Sequence, residues 1–373
     1  MDTEKSYRIL LNMVPGIGPI GYRLLLRRFE TAEHVSRASY SELKSTVNEQ
    51  LAQRIRHYAD NKKELDKELK LIQDSGVNVL TWEDDSYPKV FRDLDTSPPV
   101  IYTKGDLSFF NHNAVIAVVG TRKPTGYGER VAADLTKKLA ELGFFTASGF
   151  ALGIDSIVHR VTLESGSKTA AVLGCGLMVE YPYANRDMKK RIEKNGILIS
   201  EFPLSYPPMA ENFPRRNRLI AALGLATLVI EADEKSGSLI TVSEALNQGK
   251  EVFSVPGSVY SPYSRGTNKL ITQGAKLVRC VEDILNELNV QLNLDFNSKN
   301  SIKEDSYRPD IDDILTKDEQ NILDIIDWEG IDIEQICQKA DVVSYELAKV
   351  LIDLELKGFV RTLPGKRYVR IKQ

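Results

Sequence analysis

The residues best suited to chemistry follow short apolar runs. After Val115 to Val119 the chain reads Gly120-Thr121-Arg122-Lys123-Pro124-Thr125-Gly126-Tyr127-Gly128. A strand that breaks at glycine and enters a helix presents backbone N–H groups at a helix N-terminus, where an anion is stabilised. Arg122 adds a planar fork that matches phosphate oxygens. The segment is not the GxGxxG dinucleotide fingerprint, which needs a second glycine where Arg122 stands. An ordinary glycine turn carrying a surface arginine fits the same residues.

Similar loops end other apolar runs: Ser148-Gly149-Phe150-Ala151-Leu152-Gly153-Ile154-Asp155, Gly174-Cys175-Gly176 before Tyr181-Pro182, and Ser236-Gly237-Ser238-Leu239-Ile240-Thr241. With Phe213-Pro214-Arg215-Arg216-Asn217-Arg218 they form a candidate phosphate-binding crest at one sheet edge. The arginine run also fits a solvated helix face. Asp155 and His159 stand one helical turn apart, as an orienting acid and a base would. They equally fit an aspartate charging the first turn of its helix above a packed histidine. No GxSxG elbow, HExxH, Walker lysine loop or CxxC is present, so no catalytic residue is expected.

Cys175, Cys280 and Cys337, with His34, His57, His112 and His159, show no zinc spacing, so neither metal nor cofactor is expected. Sparse cysteines, a charged start without an apolar core and no membrane-length apolar run point to the cytoplasm. The formal net charge is -3 over 373 residues, so any nucleic-acid site is a local basic surface.

These loops need a scaffold, and the periodicity supplies one. Residues 7–13, 21–29 and 48–73 carry apolar side chains at helical spacing, with Ser39 and Ser41 able to cap a further short helix. Pro15-Gly16-Ile17-Gly18-Pro19 resembles the hairpin of helix-hairpin-helix modules and equally a plain tight turn. From residue 77 β-branched runs at 77–81, 100–102, 115–119, 144–147, 169–173, 196–200, 226–231 and 251–255 alternate with helical stretches. That alternation predicts an α/β domain with a parallel, doubly wound sheet. Residues 291–312 are polar and read as a linker. Helical stretches at 317–326, 332–340 and 344–357, then strands at 359–361 and 367–370, make a winged-helix pattern. Its candidate recognition helix carries Glu346, Asp353 and Glu355, which favours protein contact over DNA. The expected domains are 1–76, 77–290 and 313–373.

Taken in order, Val119-Gly120-Thr121-Arg122, the Ser148–Asp155 loop with His159, Phe213 to Ala221, Ser236 to Thr241 and Val255-Pro256-Gly257-Ser258 resemble the DprA/Smf family from about residue 10 to 370. The resemblance implies an extended Rossmann-like domain between a helical SAM or helix-hairpin-helix-like front and a winged-helix end. It further implies a homodimer that binds single-stranded DNA, shields incoming strands during transformation and helps load RecA. The expected DNA-binding set is Gly120, Thr121, Arg122, Ser148, Gly149, Tyr183, Asn185, Arg215, Arg216, Asn217, Arg218, Ser236, Gly237, Ser238 and Thr241. Leu246 and Ile271 match the family's dimer face. Leu152 and Tyr183 stand where the family usually has cations; Tyr183 offers a stacking surface instead, and Arg186, Lys189 and Lys190 lie nearby. A rival reading is a nucleoside-monophosphate phosphoribohydrolase-like enzyme, since Ser236 to Thr241 with Glu244 is similar to that group's Pro-Gly-Gly-x-Gly-Thr-x-x-Glu loop, though without its glycine arrangement.

Overall fold

The computed structural model describes residues 3–288, 316–326, 330–340, 359–363 and 367–370, with Val342, Leu347, Val350, Leu351 and 353–355. The expected linker lies outside the described residues. The chain divides into two compact units, one holding the described residues up to 288 and the other those from 316.

The first unit opens with α1 (Thr3–Met13), α2 (Pro19–Phe29), α3 (Ala32–Arg37), α4 (Tyr40–Thr46), α5 (Glu49–Asp60) and α6 (Lys63–Ser75). Ser39 starts α4 as expected, in a capping box with Glu42. The single helical stretch expected over 48–73 is instead two helices. Asn61 leaves helical geometry at φ -112 and ψ 80 while its N–H still caps α5. In the Pro15–Pro19 turn, the Ile17 and Gly18 amides donate to Val14 and Gly16 carbonyls, so both are spent inside the turn.

The α/β part follows in the order β1 (Asn78–Thr81), α7 (Lys89–Arg92), β2 (Val100–Gly105), β3 (Val115–Val119), α8 (Gly126–Glu141), β4 (Phe145–Ser148), α9 (Ile154–Glu164) and β5 (Thr169–Val172). Then come α10 (Arg186–Asn195), β6 (Ile197–Ser200), α11 (Asn212–Leu223), β7 (Ala226–Val229), α12 (Ser238–Asn247), β8 (Glu251–Ser254), α13 (Pro262–Thr272), β9 (Lys276–Leu277) and α14 (Val281–Leu288). The nine strands order as β1-β2-β6-β5-β4-β3-β7-β8-β9. From β6 through β9 every pairing is parallel, as the buried apolar runs predict. The β1 and β2 pairings are antiparallel, which the sequence did not distinguish. Their connection carries only the one-turn α7 and makes no return crossover, so nothing forces a parallel partner.

Alternation along β3 sends Ile116 and Val118 to one face with α8, α9 and α14, and Ala117 and Val119 to the other with α11 and α12. Ile9, Leu10, Leu65 and Ile72 from α1 and α6 share a buried cluster with Val100, Tyr102, Ala171 and Leu198, so packing runs across residue 76. After β3 the chain winds through β4, β5 and β6, then returns to the opposite side of β3 with β7. This reversal opens a crevice at the carboxyl ends of β3 and β7, the place where such sheets bind ligands.

The second unit contains α15 (Lys317–Ile325), β10 (Ile331–Asp332), α16 (Ile333–Ala340), β11 (Val360–Leu363) and β12 (Arg367–Arg370). Leu347, Val350, Leu351 and 353–355 are helical, within the expected third helix, while Glu346 lies outside the described residues. The two expected strands gain a third, β10, which pairs with β12 in a β10-β12-β11 sheet. Two residues are too short a run for periodicity to reveal.

Helix α11 is fixed by charge at its C-terminus and along its body. At its C-terminus the Lys250 amine donates to the Ala221, Ala222 and Gly224 carbonyls at 2.9, 2.6 and 2.6 Å, and burial pulls that amine down to about 8. In its first half and middle Arg215 and Arg218 hold the buried Glu201 carboxylate, Arg218 with two nitrogens at 2.7 and 2.9 Å and Arg215 with a third bond at 2.7 Å. Burial raises the Glu201 carboxyl, but the two arginines outweigh it and hold the group below its ordinary value. Glu201→Ala leaves Arg218 buried without its anion and is expected to cost about 3–5 kcal/mol in urea unfolding. The Glu201→Met/Arg218→Met pair should recover most of that loss; a double variant as weak as the single would refute the pairing account.

Candidate functional site

The carboxyl edge gathers the loops after β3, β4, β5 and β7 with the first turn of α11. Its main feature is a 650 Å³ cleft lined by Gly120, Arg122, Asp155, Phe213, Arg216, Ser236, Gly237, Ser238 and Thr241, among others. A smaller adjoining pocket of 80 Å³ shares Arg122, Tyr181, Phe213 and Arg216 and adds Phe150, Leu152 and Cys175.

Glycine shapes the wall between β3 and β4. Gly153 holds φ +83, and a Cβ there would fall 2.5 Å from the Thr121 carbonyl oxygen. A side chain at Gly149 would meet Arg216 Nη2 and Asp155 Oδ2, each at 2.8 Å. Only glycine lets the β4 loop pass this close to its neighbours.

The anion expected at the N-terminus of α8 is already present, and it belongs to the chain. Glu231, 2 % exposed, accepts from the Thr125 N–H at 2.9 Å and the Thr125 hydroxyl at 2.6 Å, while Thr125 caps Gly128. At α9 the Asp155 carboxylate accepts from the Ala151 N–H at 3.1 Å. Burial pushes this carboxyl above its ordinary value, with the Arg216 charge pulling the other way. Two helix starts on the crest are therefore filled internally.

The arginines divide by burial. Arg122 has no hydrogen bond or ion pair among the described residues, and its guanidinium lies 5.8 Å from the Phe213 ring centre. Arg216 is buried; its Nη1 donates to the Gly149 and Val172 carbonyls and its Nε to Asn217. Burial, against the Asp155 charge, pulls it down to about 10. Arg218 is sealed in the Glu201 pair, and Arg215 is half-exposed on the same carboxylate.

Of the other expected residues, Gly120, Ser236, Gly237, Ser238, Asn217 and Thr241 line the cleft. Ser148 is buried beneath it and donates to the Val118 carbonyl; Thr121 donates its N–H to the Glu231 carbonyl. Asn185 ties the β4 loop through the Phe150 carbonyl and Ser156. Tyr183 is 63 % exposed, and Arg186 stacks over it at 4.4 Å. Lys189 supplies no free charge there, because its amine donates to the Leu177 and Val179 carbonyls.

Asp155 and His159 do not pair. His159 is fully buried with Nδ1 at 2.8 Å from the Thr169 hydroxyl, and burial, aided by Arg216, pulls it down to about 3. The aromatic pair Tyr181 and Phe213, 5.6 Å apart, joins the site although neither was in the expected DNA-binding set. Their signal was present in the loop motifs but carried no charge to draw attention.

These features define an α/β protein with a cleft at a topological switch point, followed in sequence by a winged-helix unit. Residues 78–289 match the family model described as DNA recombination-mediator protein A, and residues 308–366 match the DprA winged helix domain. The chain is 39% identical over 230 residues to the DNA processing protein DprA of Bacillus subtilis, covering 61% of this chain and 77% of that one. It is 35% identical over 314 residues to Protein Smf of Escherichia coli, covering 84% and 82%. The X-ray structure of DprA from Streptococcus pneumoniae superposes with a TM-score of 0.66 at 30% identity, over 76% of this chain and 97% of that one. A Helicobacter pylori DprA structure concerned with single-stranded DNA binding gives 0.52 at 31% identity, over 57% and 96%. The chain belongs to the DprA/Smf family.

The buried imidazole makes a pH test available. Its folded value near 3 lies below the ordinary 6.5, so unfolding takes up a proton between the two. The neutral ring's stabilisation is thus complete above about 6.5 and is lost as pH falls toward 3, at up to about 1.4 kcal/mol per pH unit. His159→Leu should flatten unfolding free energy against pH over that window; an unchanged slope would assign the acid sensitivity elsewhere.

Proposed function

We propose that this chain binds single-stranded DNA along the carboxyl edge of its sheet, as a cytoplasmic homodimer that shields strands during transformation and helps load RecA. The observation that carries the reading is Arg122, a cation without a hydrogen-bond or ion-pair partner among the described residues, beside the Phe213 ring in the cleft. Sequence-neutral strand binding needs that combination, a cation for phosphate and a flat face for a base. The Helicobacter pylori relative, described for its single-stranded DNA binding mode, supports the same ligand. Among the described residues no helix is long and apolar enough to cross a membrane.

Binding, and not catalysis, is the proposed mode of action. His159 is withdrawn from the cleft and held by Thr169, so Asp155 has no base beside it. For the dimer, Leu246 is 59 % exposed on α12, and Leu277 is exposed on the edge strand β9 close in sequence to the half-buried Ile271. Exposed apolar side chains of this kind suit self-association.

Arg122→Ala should weaken single-strand binding and reduce the log-affinity against log-salt slope by about 0.7, one single-strand phosphate contact. Titration against single- and double-stranded DNA reads both effects. A folded variant with an unchanged slope would remove Arg122 from the phosphate path.

The winged-helix unit is proposed to meet protein. Arg367 donates to the Gly330 carbonyl, and Arg370 pairs with Asp324 and reaches the Leu323 carbonyl, so both are used within the unit. Deleting 310–373 should leave single-strand affinity within about threefold, under ~1 kcal/mol. A tenfold loss in a folded, dimeric truncation would assign DNA contact to this unit.

A further inference from the structure

Both members of the aromatic pair beside the cleft are tied to one segment, residues 201–206, which leaves β6. The Glu201 carboxylate takes Arg218 and Arg215 of α11, the helix that carries Phe213. Arg215 also lies over the Phe202 ring at 5.3 Å. Farther along, the Leu204 carbonyl accepts from the Met178 N–H and the Tyr206 carbonyl from the Gly176 N–H, each at 2.9 Å. These bonds hold the loop after β5, which reaches the cleft at Tyr181. The approach is so close that a Cβ at Gly176 would overlap the Pro203 and Leu204 carbonyl oxygens.

The helical front grips the same segment. From α1 the Asn12 side-chain amide donates to the Glu201 carbonyl at 3.1 Å. From α6 the Glu68 carboxylate accepts from the Leu204 N–H at 2.7 Å. Glu68 is 4 % exposed, and no ion pair meets it among the described residues. Burial raises its carboxyl, with the Leu204 N–H pulling the other way. Leu65 and Ile72 on the same helix join Leu204, Cys175 and Leu177 in one apolar cluster. A leucine at 68 would be cheaper to bury in such surroundings than an acid without a cation. Helix packing therefore gives no reason for a carboxylate there, whereas the Leu204 amide does.

We propose that Glu68 is a positioning residue for strand binding: by holding Leu204, with Asn12 on Glu201, it sets the spacing of Tyr181 and Phe213. The proposal rests on the single-strand reading and deepens it. No residue of the helical front lines the cleft among the described residues, so α1 and α6 act on the site through the 201–206 segment. The two rings stand 5.6 Å apart and tilted at 43°, and they come from different elements. A stacking platform of that kind holds a base only while its supports keep their spacing. Arg122 hangs instead on the loop after β3, which Glu231 anchors through Thr121 and Thr125. A disturbance at Glu68 therefore reaches the stacking faces and spares the phosphate contact.

Oligo-dT titrated onto the full chain at several salt concentrations, with backbone amide exchange followed in the absence of DNA, tests this. Glu68→Leu leaves the Leu204 N–H unmet and should weaken binding about tenfold, the scale of one stacked base, with the log-affinity against log-salt slope unchanged. Glu68→Gln, whose side-chain carbonyl still accepts that N–H, should bind as the unaltered chain does. In Glu68→Leu exchange should quicken at the Leu204, Gly176 and Met178 amides, while those of Thr125 and Ala151 keep their protection. Asn12→Ala should cost about threefold on the same segment, and it decides the matter where Glu68→Leu does not fold. Full affinity in folded Glu68→Leu, an equal loss in Glu68→Gln, or a slope that falls with the affinity overturns the positioning role and leaves the single-strand reading standing. Exchange that quickens equally at Thr125 and Ala151 reduces Glu68 to a general structural residue and overturns it too. An unaltered chain that binds no oligo-dT overturns both.

Discussion

A buried carboxylate must be neutralised where it sits, and this requirement organises the carboxyl edge. Glu231 is met by the amide and hydroxyl of Thr125, Asp155 by the Ala151 amide and the field of Arg216, and Glu201 by Arg218 and Arg215. The Glu231 and Glu201 arrangements tie segments distant in sequence, and the Asp155 bond closes its own loop. Glu231, just after β7, fixes the loop after β3; Asp155 fixes the loop after β4; Glu201, just after β6, fixes α11. The crevice between β3 and β7 keeps its shape because these three anchors follow different strands, β4, β6 and β7.

The same anchors decide which cations remain for a ligand. Around the cleft the sequence offers Arg122, Arg215, Arg216 and Arg218, yet Arg218 is spent on Glu201 and most of Arg216 on backbone carbonyls. Arg122 alone of the four is without a partner among the described residues. On the proposed reading, few phosphate contacts mean a shallow salt dependence, and the aromatic faces of Phe213, Tyr181 and Tyr183 carry more of the affinity. A net charge of -3 then presents no contradiction, because a single free guanidinium in a cleft creates a local field that the total does not report.

The parallel sheet was legible because β3 is buried at all five positions and its neighbours read as continuous apolar runs. The Ser39 cap was legible because Glu42 completes its box three residues on. What stayed hidden depended on contacts distant in sequence. Nothing local to residues 215–218 says that Glu201 and the Val172 carbonyl lie beneath them, so the run reads as solvated or as DNA-facing with equal ease. Glu231 was read only as the end of a strand, although its carboxylate occupies the helix start on which the phosphate argument rested. The strand order that brings β7 beside β3 supplies the missing information, and periodicity does not encode strand order.

The winged-helix unit extends the same reasoning. Its basic end appears in the sequence as Lys357, Arg361, Lys366, Arg367, Arg370 and Lys372, a composition that invites a nucleic-acid reading. Arg367 and Arg370 nevertheless point their charge into their own fold, toward the Gly330 and Leu323 carbonyls and Asp324. A guanidinium satisfied by carbonyls of its own unit gains little by moving to a solvent-screened phosphate, since it would trade formed bonds for new ones and leave those carbonyls unmet. In both units, then, the cations that matter for binding are those left over after internal anions and carbonyls are satisfied. A basic segment is therefore weak evidence for a polyanion partner until those internal partners have been subtracted.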